Sequence, residues 1–185
     1  MVNENLYNIT DELTEIGQKT EHTFGQLNTD QINWKPSEAG WSIGQCFEHL
    51  IKSNELFFDE IDRIAAGTRR HSLLENWSPL SSFFGKLLIS SLEKDERKLK
   101  APTSKIVPPS AVDEKIIDKF LAHQTKLIEK IKTTGNVDWR KTIVTSPFMK
   151  LVTYKLEDGY KIIAVHEKRH FRQAERVLQA ENFPK

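Results

Sequence analysis

The chain has 185 residues, with 27 basic and 26 acidic side chains and a formal net charge of +1. This length suits one domain with a continuous apolar core, so we expect a single domain over residues 1–185. The balanced charge disfavours nucleic acid as a partner, and the single cysteine, Cys46, cannot form an internal disulfide. Because there is neither a signal-peptide pattern nor an apolar run of about 18 residues, we expect a cytoplasmic protein without a membrane partner.

The first half of the chain predicts two long helices and an irregular connection. Apolar residues at three- and four-residue steps predict a helix over about residues 4–27. Ser42 and Gln45 stand at capping-box spacing, which predicts a second helix that begins near Ser42 and runs to Gly67. The connection over residues 68–110 is rich in apolar residues and prolines, which favours a short extra helix on the bundle followed by an extended arm.

The second half predicts two more long helices. An apolar stripe predicts a helix from about Val112 to Lys132, which stops before Gly135. Thr153 is the predicted N-cap of a fourth helix that has acidic residues in its first turn and ends near Asn182. Four long amphipathic helices, without a strand pattern of comparable strength, predict an all-α four-helix bundle.

Two histidines on the fourth predicted helix suggest a metal site. His166 and His170 are four residues apart, so both imidazoles project from one face and can reach one ion. They share an edge of the helix with apolar positions such as Ile163. Two cationic imidazoles would repel each other and be poorly solvated there, whereas neutral imidazoles that bind a metal avoid both costs. A third ligand has to come from another helix, and His49 lies beside the apolar stripe of the second. Spacing alone does not decide for this site, because two histidines four residues apart on a helix are more often exposed or hydrogen-bonded residues that bind no metal.

The string from His166 to His170 also matches H-E-x-x-H, the pattern of zinc metalloproteases in which the glutamate activates water. The extended protease pattern fails, because Gln173 and Arg176 stand where it needs glycine and histidine. Glu167 is a candidate catalytic base, and the alternative is a solvated helix residue.

The remaining cysteine and histidines give further candidates. Cys46 lies one turn before His49 and is either a soft ligand or a small core thiol. His123, at the margin of the third helix's apolar stripe, is a candidate for a further ligand or hydrogen-bond partner. His22 and His71 belong to no constellation, so we expect both to be exposed.

Three local patterns follow one another along nearly the whole chain. They are Trp41-Ser42 with His49-Leu50 about two turns later, Lys100-Ala101-Pro102 leading to Pro108, and Ser146-Pro147-Phe148 through Thr153 to the string His166–Gln173. Together they resemble the DinB/YfiT superfamily, bacterial four-helix bundles described as metal-dependent hydrolases. The chain departs from the family at Tyr154, where leucine is more usual, and in its hydrophobic 68–110 connection.

The resemblance implies an up-down-down-up bundle in which His49, His166 and His170 bind a divalent metal, with Zn²⁺ or Ni²⁺ as the expected ion. It also accounts for the H-E-x-x-H string without a protease. Dimerisation through outer helix faces or the 68–110 segment is a further implication.

Three protein ligands leave an open coordination position, as in catalytic zinc sites. A water there can be activated for hydrolysis, and a thiol can be deprotonated. Some relatives are thiol transferases that use bacillithiol or mycothiol against a small-molecule electrophile. The resemblance therefore leaves hydrolase and thiol S-transferase open. A non-catalytic metal-binding stress-response bundle is the third possibility, and its site would be closed by Cys46, His123 or Glu167.

Overall fold

The computed structural model describes residues 4–69, 81–94 and 103–185, and these ranges are mostly helical. The elements in chain order are α1 (Glu4–Phe24), α2 (Thr29–Asn33), α3 (Ile43–Ala65), α4 (Ser81–Glu93), a 3₁₀ turn (Ser104–Ile106), α5 (Ile116–Thr133), β1 (Ile143–Thr145), β2 (Thr153–Lys155) and α6 (Leu156–Leu178). The predicted all-α class is confirmed.

The four long helices α1, α3, α5 and α6 form the bundle. Both α1 and α3 pack against α5 and α6, which places α1 and α3 at opposite corners. Gln124 of α5 donates a hydrogen bond to the Leu13 carbonyl of α1, and Gly135, just after α5, lies beside Leu6 near the start of α1. These contacts show that α1 and α5 are antiparallel.

Contacts between the other long helices give their relative directions. Phe47 contacts Phe120, and Asp62 further along α3 pairs with Lys130 further along α5, so α3 and α5 are parallel. Along α3 and α6, His49 contacts His170 and Asn54 bonds Glu167, so these two helices are antiparallel. The long helices therefore run up, down, down and up.

The start of α3 follows the predicted capping box. Ser42 Oγ accepts a hydrogen bond of 3.1 Å from the Gln45 amide, and Gln45 Oε1 accepts one of 3.1 Å from the Ser42 amide. The helix ends at Ala65, and Gly67 follows with a φ of 65°, a conformation that favours glycine after a helix. These caps place His49 in the second turn of α3.

The last long helix ends at Leu178 and not near Asn182. At two other predicted boundaries, short polar contacts replace helical ones. The first helix ends at Phe24, since Asn28 and Gln31 form a capping box that begins the short α2. The third long helix begins at Ile116 and not at Val112, whose backbone amide and carbonyl both bond the Asn33 side chain.

The predicted N-cap at Thr153 is wrong. Thr153 pairs with Thr145 in an antiparallel hairpin, and α6 begins at Leu156 after Lys155. The hairpin forms because Val144 and Tyr154 lie opposite each other and are both buried. Three-residue strands are too short to give a distinct alternation in the sequence.

The short helix predicted between the second and third long helices is α4, which packs on α6 and β2. Arg169 of α6 donates hydrogen bonds of 3.2 and 2.8 Å to the carbonyls of Leu92 and Lys94 at the end of α4. The predicted extended arm lies partly outside the described residues. No helix within the described ranges has the length and apolar character needed to cross a membrane.

Candidate metal centre

The structure brings together the three histidines that spacing left unconnected. His49 projects from α3, and His166 and His170 project from successive turns of α6. The Nε2 atoms of His49 and His166 are 3.2 Å apart. Each of the three residues offers one atom, and these atoms all lie within 4.8 Å of one another.

The tautomer of His49 follows from its hydrogen bond to the 3₁₀ turn. His49 Nδ1 lies 2.7 Å from the Ile106 carbonyl oxygen. Because a carbonyl only accepts, Nδ1 carries the proton and donates it. The lone pair of His49 is therefore on Nε2, the nitrogen that faces His166, and this is the usual arrangement for a histidine that binds a metal.

Burial keeps the imidazoles neutral. His49 and His170 are 4% and 8% exposed, whereas His166 is partly exposed. Most of the His166 surface is nevertheless covered, and this burial lowers its pKa, with further lowering from the charges of His49 and Arg169. Burial likewise holds the pKa of His170 well below its ordinary value and lowers that of His49. All three rings therefore retain a free lone pair at neutral pH.

This donor set fits a divalent cation. Within the described residues, His170 Nδ1 is buried without a hydrogen-bond partner, and leaving such a group unpaired costs about 1–3 kcal/mol. Neutral imidazole nitrogens are good ligands for Zn²⁺, Ni²⁺ and similar ions. In the part of the chain that the structure describes, this is the one group of His, Cys, Asp and Glu side chains that converges in this way.

An aromatic ring covers one side of the histidine group. Trp41 stacks on His170 with ring centroids 5.6 Å apart and an interplanar angle of 19°, and it is tilted against His49 at 4.9 Å. The ring is partly buried. Sequence analysis identified Trp41 only as part of a local pattern before α3. Its contact with His170 depends on the packing of α6 against α3, which no local pattern shows.

Glu167 points into the bundle interior. The side chain is completely buried, and its carboxylate accepts hydrogen bonds of 2.7 Å from both Asn54 Nδ2 and Gln124 Nε2. Gln124 Nε2 also donates to the Leu13 carbonyl at 3.1 Å, so one network joins all four long helices. Burial raises the pKa of Glu167 to about 8, and the two amide hydrogen bonds oppose that shift. The alternative of a solvated helix residue is wrong.

The other candidates lie apart from the three-histidine group. Cys46 is completely buried in the apolar core, and burial raises the pKa of its thiol to about 12. His123 is buried on α5 and stacks on Phe58 at 5.3 Å. His22 is exposed on α1, as expected. His71 lies outside the described residues.

An up-down-down-up bundle with three buried or partly buried histidines that converge between two of its helices defines a class of helical proteins whose side chains could hold a metal ion. The family model of the DinB superfamily matches residues 12–174. The chain therefore belongs to the DinB superfamily. No curated protein and no solved structure matched the chain.

Proposed function

We propose that this protein is a metal-dependent enzyme in which His49, His166 and His170 bind one divalent cation. Zn²⁺ and Ni²⁺ are the ions that we expect. The observation that carries the proposal is the convergence of three neutral imidazoles without a fourth His, Cys, Asp or Glu in the described residues. Three protein ligands and an open position are typical of catalytic zinc sites, whereas structural sites are closed by four.

The exposure of the three rings supports access from solvent. His49 and His170 are buried, but His166 is partly exposed, so the group approaches the surface beside His166. The Trp41 ring packs against His49 and His170. A small molecule would therefore approach beside His166, and Trp41 would shield the other two rings from water.

The substrates that we propose are a small-molecule electrophile and either water or a low-molecular-weight thiol. A bound divalent cation would supply Lewis acidity, which favours loss of a proton from water or thiol. The protein residues hold the imidazoles neutral through burial and fix the His49 tautomer through Ile106. The reaction would be hydrolysis with water and S-transfer with a thiol of the bacillithiol type.

Glu167 supports the centre in this proposal by anchoring α6. Its carboxylate holds Asn54 of α3 and Gln124 of α5, and it directly follows the ligand His166. The hydrogen-bonded carboxylate lies outside the converging group of ligand atoms. A role as catalytic base would require the carboxylate to leave both amide partners.

A turnover screen tests the proposed function. The protein would be loaded with Zn²⁺ or Ni²⁺ and incubated with ester, epoxide and aryl halide electrophiles, with bacillithiol, with glutathione, or with no thiol. Turnover that requires a thiol identifies a transferase, and thiol-independent turnover identifies a hydrolase. Loss of that turnover in His49→Ala is expected. Stoichiometric metal without turnover of any electrophile would contradict catalysis and favour a non-catalytic metal-binding bundle.

A further inference from the structure

Ser53 lies one turn after His49 on α3 and is completely buried. Its Oγ is 3.5 Å from His49 Nε2. Within the described residues, this nitrogen is the polar partner found for the hydroxyl, and the contact is long for a hydrogen bond. The hydroxyl therefore faces the histidine group without a close partner of its own.

The same nitrogen of His49 is the one available to a metal. Because Nδ1 donates to the Ile106 carbonyl, Nε2 holds the lone pair. Ser53 Oγ lies 3.5 Å from this nitrogen and His166 Nε2 lies 3.2 Å from it. Two ligand atoms of a tetrahedral zinc site are about 3.3 Å apart when each bond is about 2.0–2.1 Å. Ser53 Oγ, 3.5 Å from Nε2, is therefore close enough to this nitrogen to be a neighbour of a ligand that occupies the open coordination position.

Metal binding would also remove the hydrogen-bond acceptor of the Ser53 hydroxyl. A cation that takes the Nε2 lone pair leaves the Ser53 hydroxyl without that acceptor, and a buried hydroxyl without an acceptor is unfavourable. A ligand with spare lone pairs in the open position removes this cost. Small anions and thiolates have such lone pairs.

We propose that Ser53 is a fourth polar residue of the centre, whose hydroxyl donates a hydrogen bond to the non-protein ligand beside the metal. The proposal rests on the proposed metal site and names a preference of that site for ligands that are anionic or accept a hydrogen bond. Ser53 binds this ligand and is not itself a nucleophile.

The position of the hydroxyl is tested by Ser53→Cys in the Co²⁺-loaded protein. A thiol at this place would reach the ion as thiolate, so we expect a thiolate-to-Co²⁺ charge-transfer absorption in the near ultraviolet. The parent protein, which retains the buried Cys46, should lack that absorption. Ser81→Cys is the matched control, because Ser81 is a buried serine at the start of α4. One bound Co²⁺ without the new absorption in Ser53→Cys would overturn the proposal.

The hydrogen bond is tested separately with azide as a small anionic ligand. Titration of Co²⁺-loaded protein, followed by visible absorption, should show azide binding about three- to tenfold weaker in Ser53→Ala. Ser53→Thr, which keeps the hydroxyl, should restore the parent affinity, and Co²⁺ affinity should be similar in all three proteins. Equal azide affinity in Ser53→Ala and parent would overturn the proposed hydrogen bond. Absence of Co²⁺ binding in the parent would overturn the metal centre itself, and the role of Ser53 with it.

Discussion

Asn54 Nδ2 of α3 donates a 2.7 Å hydrogen bond to Glu167 Oε1 of α6. The residue before each partner in the chain, Ser53 before Asn54 and His166 before Glu167, belongs to the proposed metal centre. The Asn54 and Glu167 side chains are both buried between α3 and α6. A change in this interior bond should therefore affect both the stability of the bundle and the placement of the ligands.

Glu167→Ala should lower the free energy of unfolding by about 2 to 4 kcal/mol, because the buried amides of Asn54 and Gln124 lose their shared acceptor. Glu167→Gln should cost less, since one oxygen acceptor remains. Urea unfolding of the metal-free proteins measures both changes. Glu129→Gln, on the exposed face of α5, is the control and should leave stability unchanged. Parent-like stability of Glu167→Ala would contradict the anchoring role.

Single alanine substitutions of His49, His166 and His170 should each abolish stoichiometric binding of a divalent metal. Each removes one of three converging nitrogens, and two imidazoles hold such an ion far more weakly than three. Metal analysis of the purified proteins after dialysis gives the measurement. His22→Ala, which changes an exposed histidine on α1, should retain the full metal content. Full retention by His49→Ala would refute the proposed ligand set.

The fluorescence of Trp41 should report metal binding. Its ring lies 4.9 Å from the His49 ring and 5.6 Å from the His170 ring, so a paramagnetic Co²⁺ or Ni²⁺ at the centre should quench it efficiently. The chain has four tryptophans, and we expect saturation to remove up to roughly a quarter of the emission if the four contribute equally. Trp41→Phe should lose most of this quenching and keep its metal. Undiminished quenching in Trp41→Phe would place the ion elsewhere.

His123 should make the stability depend on pH. Burial lowers its pKa to about 4 from an ordinary value of 6.5, with a smaller contribution from the charge of Lys126. The unfolded chain therefore binds a proton between these pH values while the folded chain does not. The lowered pKa of His123 therefore has no effect on stability well above pH 6.5 and destabilises the fold progressively as the pH falls toward 4, by about 3 kcal/mol in total.

His123→Phe would remove the part of the pH dependence of stability that comes from His123 and would keep an aromatic ring stacked on Phe58. Urea unfolding at several pH values between 4.5 and 7 should give a flatter pH profile for His123→Phe than for the parent. His22→Phe serves as the exposed control and should follow the parent profile. Superimposable pH profiles for the His123→Phe and parent proteins, apart from a constant offset, would contradict the assignment.

Much of the bundle was predictable because its long helices carry strong local signals. The capping box of Ser42 and Gln45 forms as predicted, and the apolar stripes of α1, α3, α5 and α6 all face the core. The hairpin that includes Thr153 was missed, since its pairing depends on a partner at Thr145 and not on neighbouring residues. Local patterns therefore gave the helices and failed where a contact between distant residues decides the structure.

The same distinction applies to the candidate site. The four-residue spacing of His166 and His170 predicted that the two rings share a face, but only packing of α3 on α6 brings His49 to them. Asn54 and Gln124 were missed because a buried polar side chain looks like an exposed one until its partner is known. Ser53 and the stacking of Trp41 depend on the same packing.

His49 and His166, two of the proposed metal ligands, are separated by 117 positions in the chain. Before the last long helix has been synthesised only one of the three histidines is present, so the proposed centre would bind its metal only after that helix has been made. An ion present at about 100 times its dissociation constant would then add about 2.7 kcal/mol to the finished fold and nothing to partly made ones. Bound metal would thus mark completed molecules and slow their unfolding by holding the second and last long helices together.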